Sequence, residues 1–406
     1  MAVLSAPLVR DEYNTLNSGT VERQRIQISD DIDQLEPGKM PFLVLLKQGL
    51  GKRTVGNWKF HWFMDSPFPH IDTLNGTVNG CTVDASVTVN VNNGEYWQVW
   101  DTFIETSSFG VFRITSITAD ALTCTVIVAP SGNNMASADE IINTGSAYES
   151  GADYKLPRST IETQDYNYGQ IFRETVGMTE VQQMTEMVAG GADWAYQTRK
   201  LMPHHARKLE RAAWFNERKY ATGGTHPYGM LRGIHRWAVD GGTINASWGD
   251  FTMAKLDTFM LTLVEADQDT ERKFFMFTSN TVLGIMSRTA QAAGNYQIKQ
   301  SETTFGVRFT SFQSNATPDA IKVVVHPEFV QTSGLDTAAY IMAFSPERLK
   351  YVKFAGNGVN LDTHVRAKIQ DPGETIRVDE VYTMFSIQCL RPASTIGYLN
   401  GITEAA

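Results

Sequence analysis

The chain is poor in cysteine, in basic charge and in long apolar runs. Its 406 residues include three cysteines, Cys81, Cys124 and Cys389, which are too few and too widely spaced for a disulfide framework or a zinc cluster. No stretch approaches the ~18 consecutive apolar residues that cross a membrane. Charged residues within the first dozen positions argue against a signal peptide. We therefore expect a cytoplasmic product that does not enter a membrane.

The charge balance bears on possible partners. The formal net charge is -9, with 35 basic and 44 acidic side chains. A protein whose main task is to grip nucleic acid needs a basic face that displaces counterions, so this task is disfavoured. Hydrophobic residues make up 42% of the chain and charged residues 19%, which is typical of a globular protein, and the length allows two or more domains.

Motifs of catalysis are missing as well. The chain has no G-x-G-x-x-G, G-x-S-x-G or H-E-x-x-H, and the segment 49–53 lacks the leading glycine and the Ser or Thr of a phosphate loop. The remaining candidates are the adjacent histidines, an acidic turn and an ordinary carboxylate pair: His204 and His205; Asp30, Asp31 and Asp33; Glu265 and Asp267. Solvated surface positions are the better interpretation of the histidines and of the acidic turn, and the carboxylate pair is too ordinary to imply general acid–base work. We predict no catalytic, cofactor-binding or metal-ligating residues.

Two aromatic segments alternate with a period of two, which indicates strands. Trp58, Phe60 and Trp62 share one strand face, and about a hundred residues later Tyr166, Tyr168 and Phe172 repeat the alternation. Cross-strand aromatic pairs stabilise such ladders, so we predict the two arms of one long hairpin. Two unrelated strands of one sheet remain the alternative.

Between these arms the sequence predicts a β-rich module. Val83, Ala85, Val87, Val89 and Val91 alternate with polar residues, and Asn92-Asn93-Gly94 is a turn signal. Further strands are expected over Tyr96–Ile104, Val111–Ile117 and Leu122–Val128. Short strands at even spacing are typical of a small sandwich or barrel, here inserted at the tip of the hairpin.

After Thr179 the period becomes helical. Thr179 is placed to cap a helix with the apolar stripe Val181, Met184 and Val188, which Gly190-Gly191 interrupts. A longer helix is predicted over 192–220, kinked at Pro203 and ended by Gly223-Gly224. Its apolar side would carry Ala195, Met202, Ala206, Leu209 and Ala213.

The C-terminal half mixes the two periods. A helix follows Thr252, a second one is capped by Ser279, and strands are expected over Phe274–Phe277, Ile321–Val325, Ala339–Phe344 and Val381–Leu390. Helices over a mixed sheet give an α+β fold class.

Three blocks, in this order, resemble the major capsid proteins of tailed bacteriophages with the HK97-type fold. They are Trp58-Lys59-Phe60-His61-Trp62 with Asp65 and Pro67; 167–172 leading through Thr179 into the long helix; and 383–392 followed by Gly397-Tyr398-Leu399. More narrowly, the chain is similar to a subgroup of these proteins with an added β-domain. The motifs are diffuse packing patterns, so the resemblance depends on their order along nearly the whole chain.

The resemblance implies a division into an N-terminal arm, an extended hairpin loop, an inserted β-module, a peripheral domain with a spine helix, an axial domain, and a C-terminal strand that returns to the peripheral domain. The corresponding ranges are 1–54; 55–76 with 150–178; 77–149; 179–244; mainly 245–380; and 381–406.

It also implies a function. The chain would self-assemble into hexamers and pentamers of an icosahedral head that encloses double-stranded DNA, held by proximity without sequence recognition. Candidate inter-subunit contacts are Trp58, Phe60, Trp62, Tyr166, Tyr168 and Phe172. Further partners would be a separate scaffolding protein, a portal and optionally a decoration protein, with no cofactor and no covalent crosslink. The alternatives are a tail tube or decoration subunit, or a hydrolase whose site assembles only in the fold.

Overall fold

The computed structural model describes residues 40–65, 68–151, 159–185, 193–223, 226–241, 243–245, 248–265, 273–293, 299–304, 307–312, 321–329 and 339–404. Most of the predicted N-terminal arm, with its acidic turn, lies outside these residues, as do Val188 and Gly190-Gly191. The chain forms two compact units, Met1–His61 with Tyr166–Ala406 and Trp62–Asp165.

The helices of the first unit have the following bounds: Pro41–Val44, continued by a π-helical turn Leu45–Gly49; Glu180–Met184; Asp193–Phe215; Ile234–Gly241; Met253–Glu265; Asn280–Ala293; and Pro392–Thr395. Hydroxyl caps are present at three of them, and those of Thr179 and Ser279 were predicted. The Gln182 N–H donates to Thr179 Oγ1, Lys255 N–H to Thr252 Oγ1, and Val282 N–H to Ser279 Oγ. Each cap satisfies an N–H that has no partner within the helix.

One sheet of this unit, which we call the main sheet, joins distant parts of the chain. Its order is Gly51–Val55, Leu349–Gly356, Ile376–Cys389 and Gln170–Thr179, with Val359–Asn360 and His364–Arg366 added at the side. The first pair is parallel and the others are antiparallel. Residues from 349 onward thus join the main sheet, and the predicted axial range, mainly 245–380, stays a prediction. The last long strand also begins at Ile376 rather than at residue 381.

The second sheet has the order Thr243–Asn245, Ile396–Leu399, Ile341–Phe344, Phe275–Thr278, Ile321–Val325, Val307–Phe312 and Lys299–Thr304. The helix Met253–Glu265 covers it with the face predicted from the sequence, since Met253, Leu256, Phe259 and Leu263 are all buried. Two small ladders complete the unit, Lys219–Ala221 with Tyr228–Met230 and Gly249–Asp250 with Ile402–Thr403.

The long helix, which we call the spine helix, runs from Asp193 to Phe215 and includes Pro203. It ends five residues before the predicted end, because the chain then forms the ladder that begins at Lys219. Only the C-terminal part of the predicted apolar side is correct. Leu209 and Ala213 are buried, whereas Ala195 and Met202 are exposed.

The segment after residue 40 belongs to the core of the first unit, which corrects the predicted arm over 1–54. Phe42, Leu45 and Leu46 are buried. The Phe42 ring lies 4.4 Å from the Trp214 ring, centroid to centroid, and edge-on to Phe277 and Phe344. Residues 51–55 then enter the main sheet as a strand.

The second unit is a small antiparallel barrel, one of the two architectures expected for the β-module. Its strands follow the order Ile71–Thr73, Glu140–Ser146, Asp101–Glu105, Val111–Thr118, Ala121–Val128 and Ser86–Asn90. The first and last strands of this order close the barrel. The Asn75 N–H, just after the first strand, donates to Asn90 O, and the Asn92 N–H, just after the last strand, donates to Thr73 O. A short ladder, Val78–Asn79 with Asn134–Met135, lies beside it.

The barrel core contains most of the predicted alternating residues. Val87, Val89 and Val91 are buried with Phe103 and Phe112. Val83, which the alternation placed on the same face, is 57% exposed, because the strand begins only at Ser86. Cys81 and Cys124 are buried here, as Cys389 is in the first unit.

Candidate functional site

The predicted hairpin exists as a ladder of two strands, Lys59–Met64 and Thr163–Tyr168. The Gly169 N–H donates to Trp58 O at one end, and Thr163 Oγ1 donates to Met64 O at the other. The predicted second arm, 150–178, is too long, because the strand Gln170–Thr179 pairs with Ile376–Cys389 in the main sheet. The division into two units passes through both strands of this ladder.

The six aromatic residues predicted as inter-subunit contacts are buried or half-buried. Phe60 and Trp62 share the covered face, with 5% and 4% of their surface exposed. The other four are half-buried: Trp58, Tyr166, Tyr168 and Phe172. Their contact with a neighbouring subunit stays an untested prediction.

Five of these rings pack against side chains of the first unit. Trp58 Nε1 donates to Gly169 O over 2.7 Å, and its ring meets Tyr220 edge-on. Tyr168 stacks on the same Tyr220, while Phe60 contacts Phe354 and Phe172 stacks on Phe385. Tyr166 is held between two cations, with Lys59 Nζ 4.0 Å and the Arg218 guanidinium carbon 4.2 Å from its ring centre. These contacts fix the base of the hairpin on its own subunit.

Two apolar side chains at or beside the hairpin are exposed. Phe63 is 68% exposed and Ile161 is 89% exposed. Both belong to the barrel unit, next to a hydrogen bond of 2.8 Å from Thr160 Oγ1 to Asp65 Oδ1. Sequence reasoning missed them, although Phe63 was detectable as an apolar residue on the strand face of Lys59 and His61.

Inside the first unit, a buried carboxylate fixes the segment after residue 40. Glu210 of the spine helix accepts from the Phe42 N–H at 3.1 Å and from the Leu43 N–H at 2.8 Å, and lies 2.7 Å from His326 Nε2. Neither side chain of the Glu210–His326 pair has any exposed surface. His326 Nδ1 accepts from the Glu328 N–H at 3.2 Å, and the Trp214 Nε1 lies 2.9 Å from His326 Nε2. The four partners come from three separate parts of the sequence.

A second polar cluster includes His205, which the sequence placed on the solvated surface. His205 is 2% exposed, and its Nε2 lies 2.9 Å from Thr383 Oγ1 in the main sheet. Burial lowers the pKa of this imidazole below its ordinary value. Lys47 Nζ donates to Thr363 Oγ1, and burial lowers the pKa of this ammonium too, against the opposing effect of Asp362. The interpretation of His205 as a surface residue is wrong, because the main sheet covers its side of the helix.

Within the described ranges, no group of three or more His, Cys, Asp or Glu side chains is arranged to hold a metal ion. Among the same residues, no helix combines the length and the apolarity needed to cross a membrane. The Glu265 side chain and Asp267 lie outside what the structure describes.

Comparison with known protein families gives the class to which this fold belongs, the structural proteins of virus capsids. The model of the SU10 major capsid protein family matches residues 11–403, so the chain belongs to this family. The resemblance to tailed-phage capsid proteins drawn from the three sequence blocks is thereby confirmed. The narrower resemblance to a subgroup with an added β-domain stays a prediction.

Individual relatives are distant. The chain is 25% identical over 190 residues to a major capsid protein of Pseudomonas phage PaMx41, and the match covers 44% of each chain. Among solved structures it is similar to that of Mycobacterium phage Cain, with 9% identity, 95% and 98% of the two chains covered and a TM-score of 0.49. It is also similar to that of Microbacterium phage Oxtober96, with 10% identity, coverage of 95% and 98% and a TM-score of 0.47.

Proposed function

We propose that this chain is the shell subunit of a phage head, which self-assembles into hexamers and pentamers around double-stranded DNA. The family match over residues 11–403 carries the proposal. The net charge of -9 is compatible with it, since a container must tolerate dense DNA without adhering to it. The chain would be made in the host cytoplasm and act without catalysis, together with a separate scaffolding protein, a portal and optionally a decoration protein.

Electron microscopy of the full chain, co-expressed with its candidate scaffolding protein, tests this function. Closed isometric shells or six-fold rings are the expected result. A population of monomers that turn over a substrate would exclude it and favour the hydrolase alternative.

The extended hairpin remains the proposed contact with a neighbouring copy, but the contact residues are reassigned. Trp58, Phe60 and Phe172 stabilise their own subunit, whereas Phe63 and Ile161 offer apolar surface that a second copy of the chain could cover. Burying one such side chain contributes about 1.5–3 kcal/mol. Because a shell repeats each contact in every subunit, the loss of these two apolar side chains should impair assembly strongly.

The double variant Phe63→Ser, Ile161→Ser tests this assignment, with Phe109→Ser as its control. Phe109 is also 68% exposed and also belongs to the barrel unit, but it lies on the turn between two barrel strands. We expect soluble subunits from both, a yield of shells reduced about tenfold or more for the double variant, and near-normal assembly for the control. Equal shell yields from the two would contradict the hairpin contact.

A further inference from the structure

The barrel unit contains a pocket that the shell function does not use. Its volume is about 720 Å³, within the ~300–1,000 Å³ of small-molecule sites. It lies at one end of the barrel, where the loop 92–100 meets the turn 117–120, and all of its lining residues belong to the barrel unit. Mouths of β-barrels are frequent places for ligands.

The walls of this pocket are fixed by buried polar contacts. Asp72, which is 5% exposed, accepts from the Asn93 N–H at 3.1 Å, from Asn93 Nδ2 at 3.2 Å and from Trp97 Nε1 at 3.3 Å. The Gly94 N–H donates to Asp120 Oδ1 at 2.9 Å and so joins the loop to the opposite turn. A Cβ at residue 94 would collide with the backbone at Ala119 and Asp120, so only glycine allows the two walls this approach. The cavity is thus preformed.

One lining residue has an unusual backbone. Trp100 adopts a φ of +71°, a conformation that costs a bulky residue about 1–3 kcal/mol. The barrel holds it there, since the Trp100 N–H donates to Ile114 O at 2.9 Å and the Ala147 N–H donates to Trp100 O at 2.8 Å. Its ring is half-buried and packs on Tyr148 with centroids 5.1 Å apart. Strain of this kind concentrates at binding sites, where it presents a side chain in a fixed orientation.

The chemistry of the lining selects a ligand class. The apolar wall consists of Trp97, Val99, Trp100 and Ile117, and the polar side chains include amides and the carboxylates of Glu95 and Asp120. No lysine, arginine or histidine lines the cavity, so a phosphate or another anion would face two carboxylates with no cation to offset them. Carboxylate and amide oxygens accept hydrogen bonds from hydroxyl groups, and an indole covers an apolar C–H face.

We propose that this pocket binds a neutral oligosaccharide, with a pyranose ring against Trp100 and its hydroxyl groups donating to Glu95 and Asp120. An ammonium group could also approach an indole and two carboxylates, but it would leave most of a 720 Å³ cavity empty. None of the residues that line the pocket is among the proposed assembly contacts.

Ligand-observed NMR on the full-length chain tests the proposal, with maltotriose, cellotriose and chitotriose as probes and choline as the cationic comparison. We expect saturable binding of at least one trisaccharide with a Kd of about 1 mM or tighter. Trp100→Ala should weaken it about tenfold or more, and Glu95→Ala, which changes an exposed side chain, about two- to fivefold. Phe109→Ala, an exposed ring of the same barrel outside the pocket, should leave the Kd unchanged.

Three results would overturn the assignment. The first is no saturable binding of any trisaccharide by the unmodified chain. The second is binding of choline alone. The third is equal loss of sugar binding in Trp100→Ala and Phe109→Ala.

Discussion

Removing the buried carboxylate of Glu210 should release the segment 41–49 from the spine helix. In Glu210→Ala, the Phe42 and Leu43 N–H groups and His326 lose their shared acceptor inside the core. Hydrogen bonds to a charged group contribute about 1.5–3 kcal/mol each, and their sum is limited by relaxation of the freed groups. Removing one partner of a buried, hydrogen-bonded pair typically costs about 3–5 kcal/mol, and we expect a loss in this range.

Urea unfolding followed by tryptophan fluorescence measures this change, because the Trp214 ring lies against Phe42. Glu210→Gln keeps one acceptor oxygen and should lose less, about 1–3 kcal/mol. Glu328→Gln is the control, since this carboxylate pairs with Arg207 and Arg211 at the surface and should contribute about 1 kcal/mol or less. If Glu210→Ala lost no more than the control, the three hydrogen bonds would not hold the segment. Limited proteolysis should also cut the variant earlier within 41–49.

Two further predictions concern the packing and titration of the first unit. Gly169→Ala should lower the free energy of unfolding by about 1–3 kcal/mol, because the new Cβ would lie 2.5 Å from Met384 Cε and 2.6 Å from Phe354 Cζ. Gly177→Ala is the control and should be nearly neutral, since its Cβ would lie 3.6 Å from Val378. Equal losses of stability in the two variants would refute the steric reason. Burial lowers the pKa of His205, so the unfolded chain protonates this imidazole at higher pH than the folded chain does. The stability that the neutral, buried imidazole allows is present above about pH 6.5 and is lost as the pH falls below it. The urea midpoint should therefore decrease less between about pH 7.5 and pH 5.5 in His205→Gln than in the unmodified chain, and identical decreases would contradict the burial of a neutral imidazole.

Local signals predicted the elements well where the pattern and the environment agree. The helix after Thr252 buries the predicted face, and the caps at Thr179 and Ser279 are formed by the expected hydroxyl groups. These features depend on residues three or four positions apart, so the sequence contains them completely.

The candidate contacts were harder to predict. Alternation along Lys59–Met64 correctly placed Phe60 and Trp62 on one face, but it could not tell which face is covered. The Phe60 ring packs against Phe354, which lies on another strand hundreds of residues away. Phe63, on the opposite strand face, is therefore the exposed residue. His205 was misplaced for the same reason, because Thr383 lies opposite it only in the folded chain.

The sequence by itself determined the α+β class, the existence of a β-rich module between two aromatic strands, and the order of blocks that resembles phage capsid proteins. Those properties follow from periods of two and 3.6 residues and from the order of motifs, which are local or sequential. Only the tertiary structure decided that Glu210 accepts from the Phe42 and Leu43 N–H groups, that the module closes into a barrel, and that a pocket forms beside Trp100. Each of these depends on contacts between residues that are distant in sequence, whose geometry is set by the packing of the whole unit.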